Sequence, residues 1–179
     1  MEQNLKPIIF IFGPSGVGKS HLSDLILEVK KFLKIQIEKK DSSHRLSFYK
    51  HGFPSEWDSD FSKVDFNILV NKLRQYSKDR AGILFSFPTD YRLTIENLEL
   101  LVKLGVTPIL LWASESDCKK AAILRRQSKG SFNLEAYLER YNRKNSETFM
   151  LYSCNEYDPF RLGAFQNDGV LLKLVEERL

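Results

Sequence analysis

Gly13-Pro14-Ser15-Gly16-Val17-Gly18-Lys19-Ser20 follows the pattern G-x-x-x-x-G-K-[ST]. Three glycines in this spacing let the backbone curl until successive N–H groups point inward around a phosphate. A helix that starts at Lys19 adds its unpaired first-turn N–H groups and the positive end of its dipole. In such a cradle the Lys19 ammonium reaches the β- and γ-phosphates of ATP, and the Ser20 hydroxyl binds Mg²⁺. His21 belongs to the same first helical turn and is counted with the cradle. Its ring, like that of His51, has no visible catalytic partner and reads as structural. The competing reading is a plain glycine-rich strand–helix turn. Against it stands the context the pattern requires, a buried strand before and an amphipathic helix after.

Other residue types add to this chemistry. Asp41 follows the second expected strand, on the edge where parallel sheets place ligands. Its carboxylate could take the proton of an attacking hydroxyl or bind Mg²⁺ through water. It reads equally as a solvated loop residue beside Lys39 and Lys40. The planar fork of Arg45 suits an acceptor phosphate, which a nucleoside monophosphate carries and a nucleoside does not; a surface arginine is the alternative. Trp57, in "PSEWDSD", could stack on a base, but anchoring the loop to the core is the expectation. Asp58 and Asp65 could hydrogen-bond a sugar, although Asp65 also suits the first turn of a helix. Phosphoryl transfer needs positive charge around the equatorial oxygens and a site shut against water. "LRRQSKGS" supplies Arg125, Arg126 and Lys129 at a helix end, with Gly130 as a hinge, and at least one of Arg125 and Arg126 is expected on a phosphate. Arg140 and Arg143 follow one helix later. The plainer account pairs Glu135, Glu139, Arg143 and Glu147 at i,i+4 spacing along that helix. Tyr137, Leu138 and Tyr141 share one helical stripe and read as core.

The elements that must position these groups can be read in order. "PIIFIF" (7–12) is an apolar run of the kind buried on both faces of a parallel sheet. Residues 19–33 have helical periodicity, and "KIQIE" (34–38) alternates as a short strand. Residues 41–63 are irregular, a functional excursion rather than a domain boundary. A helix over 64–77, a strand over 82–87, a helix over 93–104 with Gly105 at its C-terminal cap, and a strand over 107–113 come next. Helices over about 116–126 and 133–149, a strand near 161–165 and a helix from 170 close the chain. Strands alternating with helices predict a parallel α/β sheet with five strands. The reading is one domain over 1–179, an acceptor-binding insertion over 41–78 and a short lid over 125–133.

Composition agrees with this. The 179 residues suit one domain, with 42% hydrophobic and 28% charged residues. The net charge of +4 is too small to argue for nucleic-acid binding on its own. Cys118 and Cys154 stand far apart without metal-like spacing to His21, His44 or His51, so neither a zinc site nor a disulfide framework is expected, and a reducing cytoplasm fits. No apolar run reaches bilayer-spanning length, and "MEQNLKP" lacks signal-peptide character.

With the loop and layout in place, the chain resembles P-loop nucleoside and nucleoside-monophosphate kinases. The resemblance covers nearly the whole chain in layout, with the phosphate loop as its specific motif. It implies a three-layer α/β/α sandwich and transfer of the ATP γ-phosphoryl group to a small acceptor. Three sub-resemblances compete. Arg126, Gly130, Arg140, Glu147, Tyr157-Asp158 and Asn167-Asp168 look like guanylate kinases. The stretch from Pro88 to Gly105 is similar to adenylate kinases. "KKDSSHRLSFY" and "SEWDSDFSKVDFNILVNKL" look like uridine and nicotinamide-riboside kinases, in which an Asp in the position of Asp41 acts on the acceptor hydroxyl. In kinases of this kind the turn corresponding to "QNDGV" (166–170) borders the adenine.

One departure stands out. Adenylate kinases carry an Asp at the end of the third strand, and uridine kinases an acid; here that strand ends Phe85-Ser86-Phe87. Asp90 or Asp41 supplies the carboxylate, or Mg²⁺ is held more loosely. Two other readings follow: a nucleotide-binding protein with decayed catalysis, from the missing acid, and a P-loop ATPase or nucleic-acid end-processing kinase, from the positive charge.

Overall fold

β1 (Ile8–Phe12) is buried at all five positions. The computed structural model describes residues 5–29, 32–36, 52–58, 60–76, 80–86 and 92–179. The burial of β1 follows from its place at the centre of a parallel sheet with β2 (Phe32–Gln36), β3 (Gly82–Ser86), β4 (Val106–Trp112) and β5 (Arg161–Gly163), in the order β2-β3-β1-β4-β5. Alternate side chains of a strand leave opposite faces. Ile8, Phe10 and Phe12 enter one core, and Ile9 and Ile11 enter the other. A strand with apolar groups on both faces has to be covered on both, which is why "IIFIF" carries no polar residue.

Helices α2 (Phe66–Tyr76) and α3 (Ile95–Lys103) cover the first face with Leu69, Leu73, Leu98 and Leu101. Helices α1 (Lys19–Val29), α4 (Glu115–Gln127) and α6 (Asp168–Glu176) cover the second with Leu22, Ile26, Ala122, Leu171 and Val175. The long α5 (Leu134–Tyr152) passes from one core to the other: Tyr141 and Phe149 pack into the second and Tyr152 into the first. The result is a three-layer α/β/α sandwich on a five-stranded parallel sheet.

Several boundaries follow from tertiary pairing. The helical reading of 19–33 fails at its end, because Phe32 and Leu33 take places in β2 opposite Gly82 and Ile83. α2 starts at Phe66, since the Asp65 carboxylate accepts from the amides of Asn67 (2.9 Å) and Ile68 (3.1 Å) and caps the helix. Gly105 ends α3 with φ +75° and donates to Val102 O at 2.9 Å, a left-handed conformation that favours glycine. α6 starts at Asp168, two residues earlier than the sequence reading places it, with Asn167 as its cap. Within 41–78, the described part is tied down: Phe53 and Trp57 stack at 5.6 Å between ring centroids and belong to the first core.

Trp57 is 2% exposed, so its ring is not open to a base; of the two readings, acceptor binding is dropped and the anchor is kept. Trp57→Ala is expected to cost about 3–5 kcal/mol of stability, the usual range for emptying an aromatic site in a core. Urea unfolding measures it, and a loss under about 1 kcal/mol would contradict the packing.

Candidate active site

The loop from Gly13 to Gly18 leaves the C-terminal end of β1, and α1 begins at once with Lys19. All three glycines have positive φ: +146° at Gly13, +84° at Gly16 and +97° at Gly18. Two of them are also needed for space. A Cβ on Gly13 would stand 2.4 Å from the Leu111 carbonyl oxygen, and one on Gly16 would stand 2.4 Å from that of Cys118. The loop is thus pressed against the end of β4 and the first turn of α4. A Cβ on Gly18 would meet nothing within 4 Å, so this glycine answers to backbone conformation alone. Val17, 1% exposed, pins the loop into the second core. The amides of Ser20 and His21, in the first turn of α1, have no acceptor within the helix, and the Ser20 side chain faces solvent.

Lys19 folds back under the loop. Its Nζ donates to the carbonyls of Gly13 and Pro14, both at 2.8 Å. Burial, reinforced by the positive charges of Lys144 and Arg125, lowers its pKa from 10.5 to about 7. The sign for folding follows. Below pH 7 the charged ammonium is carried into a site that disfavours it, and this cost fades as pH rises from 7 towards 10.5. A bound polyphosphate reverses the preference by supplying the missing negative charge. Nucleotide binding at pH 8 is therefore expected to take up about 0.9 proton per site, and affinity to fall by up to about tenfold per pH unit above 7. Titration calorimetry in buffers of different ionisation enthalpy measures the uptake; binding without uptake at pH 8 would show that Lys19 is already charged in the free protein.

The two arginines of the expected lid part company. Arg125 stands close enough to Lys19, Lys144 and Tyr141 to act on the ionisation of each. Arg126 instead lies over the ring of Phe132, 5.3 Å from its centroid, and so leans on the 128–133 connection between α4 and α5. Gly130, in that connection, has φ +117° with open space around it.

α5 contributes more than the sequence suggests. The Tyr141 hydroxyl donates to Ser15 O at 2.6 Å, and Asn145 Oδ1 accepts from Ser15 N at 2.9 Å. Asn145 Nδ2 donates in turn to Tyr141 O at 2.9 Å. Lys144, beside Asn145, has its pKa lowered by burial and by Arg125. None of Tyr141, Lys144 and Asn145 is singled out as a site residue by sequence pattern; the burial of Asn145, 1% exposed inside a long helix, shows only in the fold, where a buried amide needs partners. One turn further on, the fully buried Thr148 Oγ1 has no hydrogen-bond partner.

Other expected residues serve the frame. His21 Nε2 meets Asp168 Oδ1 at 2.8 Å, joining the starts of α1 and α6; so its ring has a partner, an exposed one of small energetic weight. Glu147 pairs with Arg92 at 2.6 Å, in place of the expected bridge along α5 to Arg143. The Tyr157 hydroxyl donates to Leu93 O at 2.9 Å, and Asp158 pairs with Arg161. β3 ends at Ser86, paired with Ile11 next to the loop. Asp41, Arg45 and Asp90 lie outside the described residues. Among the described residues no cluster of three or more His, Cys, Asp or Glu could hold a metal ion, and none of the helices is long and apolar enough to cross a membrane. Both cysteines are free, Cys118 buried and Cys154 exposed.

No protein-family model matches the sequence, and no curated protein matches it. Solved structures share its fold. The tunicamycin resistance protein of Deinococcus radiodurans superposes with a TM-score of 0.53 over 96% of this chain and 95% of that chain, at 20% identity. A shikimate kinase from Bacteroides thetaiotaomicron gives 0.50 over 96% and 97%, at 14% identity. The shikimate kinase of Acinetobacter baumannii, solved with shikimate, gives 0.50 over 96% and 92%, at 16% identity. The chain shares with these structures a three-layer α/β/α fold.

Proposed function

We propose that the protein is an ATP-dependent phosphotransferase that moves the γ-phosphoryl group to a small acceptor, a nucleoside or a nucleoside monophosphate. The observation that carries this is the cradle: two glycines with no room for a Cβ, amides at the start of α1 without acceptors in the helix, and a buried ammonium beneath them. Such a site is costly to hold empty and is relieved by polyphosphate. The fold shared with two shikimate kinases supports a small hydroxyl-bearing acceptor.

In this reading the amides of Gly16, Val17, Gly18, Ser20 and His21 hold the phosphates and Lys19 bridges the β- and γ-groups. Arg125, with Lys144, meets the charge on the equatorial oxygens. Ser20, with its exposed hydroxyl at the cradle's rim, holds Mg²⁺. When bound, that ion neutralises phosphate charge and aligns the phosphates. Asp41 orients or deprotonates an acceptor hydroxyl, and Arg45 clamps an acceptor phosphate where there is one. Phe132, with Arg126 of α4 over its ring, belongs to the short connection that acts as the lid. The test is ADP release from ATP and Mg²⁺ across a panel of nucleosides, monophosphates and small hydroxy acids, shikimate included. Acceptor-dependent release supports the proposal; its absence throughout, from protein that binds ATP, contradicts it.

One observation favours a second reading. Ser86 stands where β3 could offer an acid, which suits a nucleotide-binding protein that does not turn over. It predicts tight ATP or ADP binding, no acceptor-dependent ADP, and no effect of Asp41→Asn.

A further inference from the structure

Ser15 is gripped at both ends by one helix. Its carbonyl accepts from the Tyr141 hydroxyl and its N–H donates to the Asn145 side chain. These partners stand one turn apart on α5 and are themselves joined through Asn145 Nδ2 and Tyr141 O. The contact reaches across 130 residues of sequence at Asn145. Burying an amide side chain in a helix face that otherwise packs Tyr141, Phe149 and Tyr152 costs desolvation unless each polar atom is used, and here both Asn145 atoms are used. Two consequences follow. The Ser15 N–H is turned outward to α5, so the amides left to face a phosphate start at Gly16. The carbonyls of Gly13 and Pro14, which precede the gripped residue, are the ones that hold Lys19 Nζ. The grip on Ser15 thereby sets where the ammonium stands.

We propose that Tyr141 and Asn145 are positioning residues that hold the phosphate loop in its binding shape and Lys19 in its buried place. They act on nucleotide through the loop and do not touch it. This rests on the reading of the loop as a nucleotide site. It also makes α5 a strut: the helix that grips the loop meets the 128–133 connection at its start and, through Glu147 with Arg92 and Tyr152 with Leu93 N (3.0 Å), the segment after β3 at its end.

The test uses the full chain, with ATP and Mg²⁺, in four forms: wild type, Lys19→Met, Tyr141→Phe and Asn145→Leu. Affinity is read in each form and in each grip variant combined with Lys19→Met, beside thermal unfolding without nucleotide. Asn145→Leu leaves the Ser15 N–H without its partner, and ATP affinity is expected to fall about tenfold or more. Tyr141→Phe keeps the ring packing and is expected to lose about fivefold. Both losses are expected to shrink when Lys19 is already Met, because the grip acts on nucleotide partly through the ammonium it places; a role limited to packing would lower the melting temperature and cost the same factor in both backgrounds. Since both side chains hold one residue, the double variant is expected to fall short of the product of the two losses. If Asn145→Leu fails to fold, Tyr141→Phe carries the test alone. Wild type that binds, beside variants with unchanged affinity or with losses that Lys19→Met does not diminish, overturns this inference and leaves the nucleotide site standing. Wild type that binds no ATP overturns both.

Discussion

Lys19→Met is expected to lower ATP affinity by about 100-fold or more. Each hydrogen bond from an ionised donor is worth about 1.5–3 kcal/mol, and 1.4 kcal/mol is a factor of ten. An ammonium that bridges two phosphates in a site largely shielded from water stands at the upper end of that range. The ligand-free protein should not suffer in proportion. Methionine forfeits the hydrogen bonds to the Gly13 and Pro14 carbonyls, but it also removes an amine whose pKa has been driven from 10.5 to about 7 by burial and by Lys144 and Arg125. The variant is therefore expected to melt near the wild-type temperature at pH 7, and to lose the wild-type gain in stability between pH 7 and pH 10. Calorimetric titration with ATP and thermal scans over that pH range check both. Affinity within a few-fold of wild type would mean that the ammonium does not meet the phosphates.

Gly16→Ala is expected to be strongly disruptive for a single methyl. Its Cβ would stand 2.4 Å from the Cys118 carbonyl oxygen and 3.1 Å from the Ala122 Cβ, at φ +84°. The left-handed conformation alone costs about 1–2 kcal/mol, and the overlap with α4 adds about 1–3 kcal/mol. A total loss of about 2–5 kcal/mol in urea unfolding is expected, together with loss of ATP binding, because α4 carries Arg125 and must move for the methyl to fit. Gly18→Ala is the control. Its φ of +97° brings the conformational cost, but its Cβ meets nothing within 4 Å, so it should lose only about 1–2 kcal/mol. Equal losses at the two positions would mean that the contact between the loop and α4 is not as drawn.

The phosphate loop was readable because its chemistry is contiguous. Eight consecutive residues carry the glycines, the lysine and the serine, and the curl they make needs only the strand before and the helix after. The parallel α/β order was readable for a similar reason: a strand covered on both faces must be mostly apolar, and "IIFIF", "GILFS" and "VTPILLW" have that character, with Ser86 and Thr107 as the polar exceptions. Asp65 at a helix start and Gly105 at a helix end were readable because each acts on its immediate neighbours.

Local pattern was no guide where a side chain answers to a distant partner. Phe32 and Leu33 fit a helical stripe and a strand equally, and pairing with β3 decided between them. Arg125 and Arg126 are adjacent and alike in type; the packing of α4 sends one towards Lys19 and the other onto Phe132. Glu147 had an i−4 partner available in Arg143, yet it meets Arg92, which the fold brings beside α5. Tyr141 packs into the core as its helical stripe predicts, but its hydroxyl and Asn145 find their partners in Ser15 only when α5 crosses the loop. Backbone conformation and hydrophobic period are short-range properties, carried by neighbours in the chain. Which polar atoms meet across more than a hundred residues depends on how buried helices pack, and that is written in no single stretch of letters.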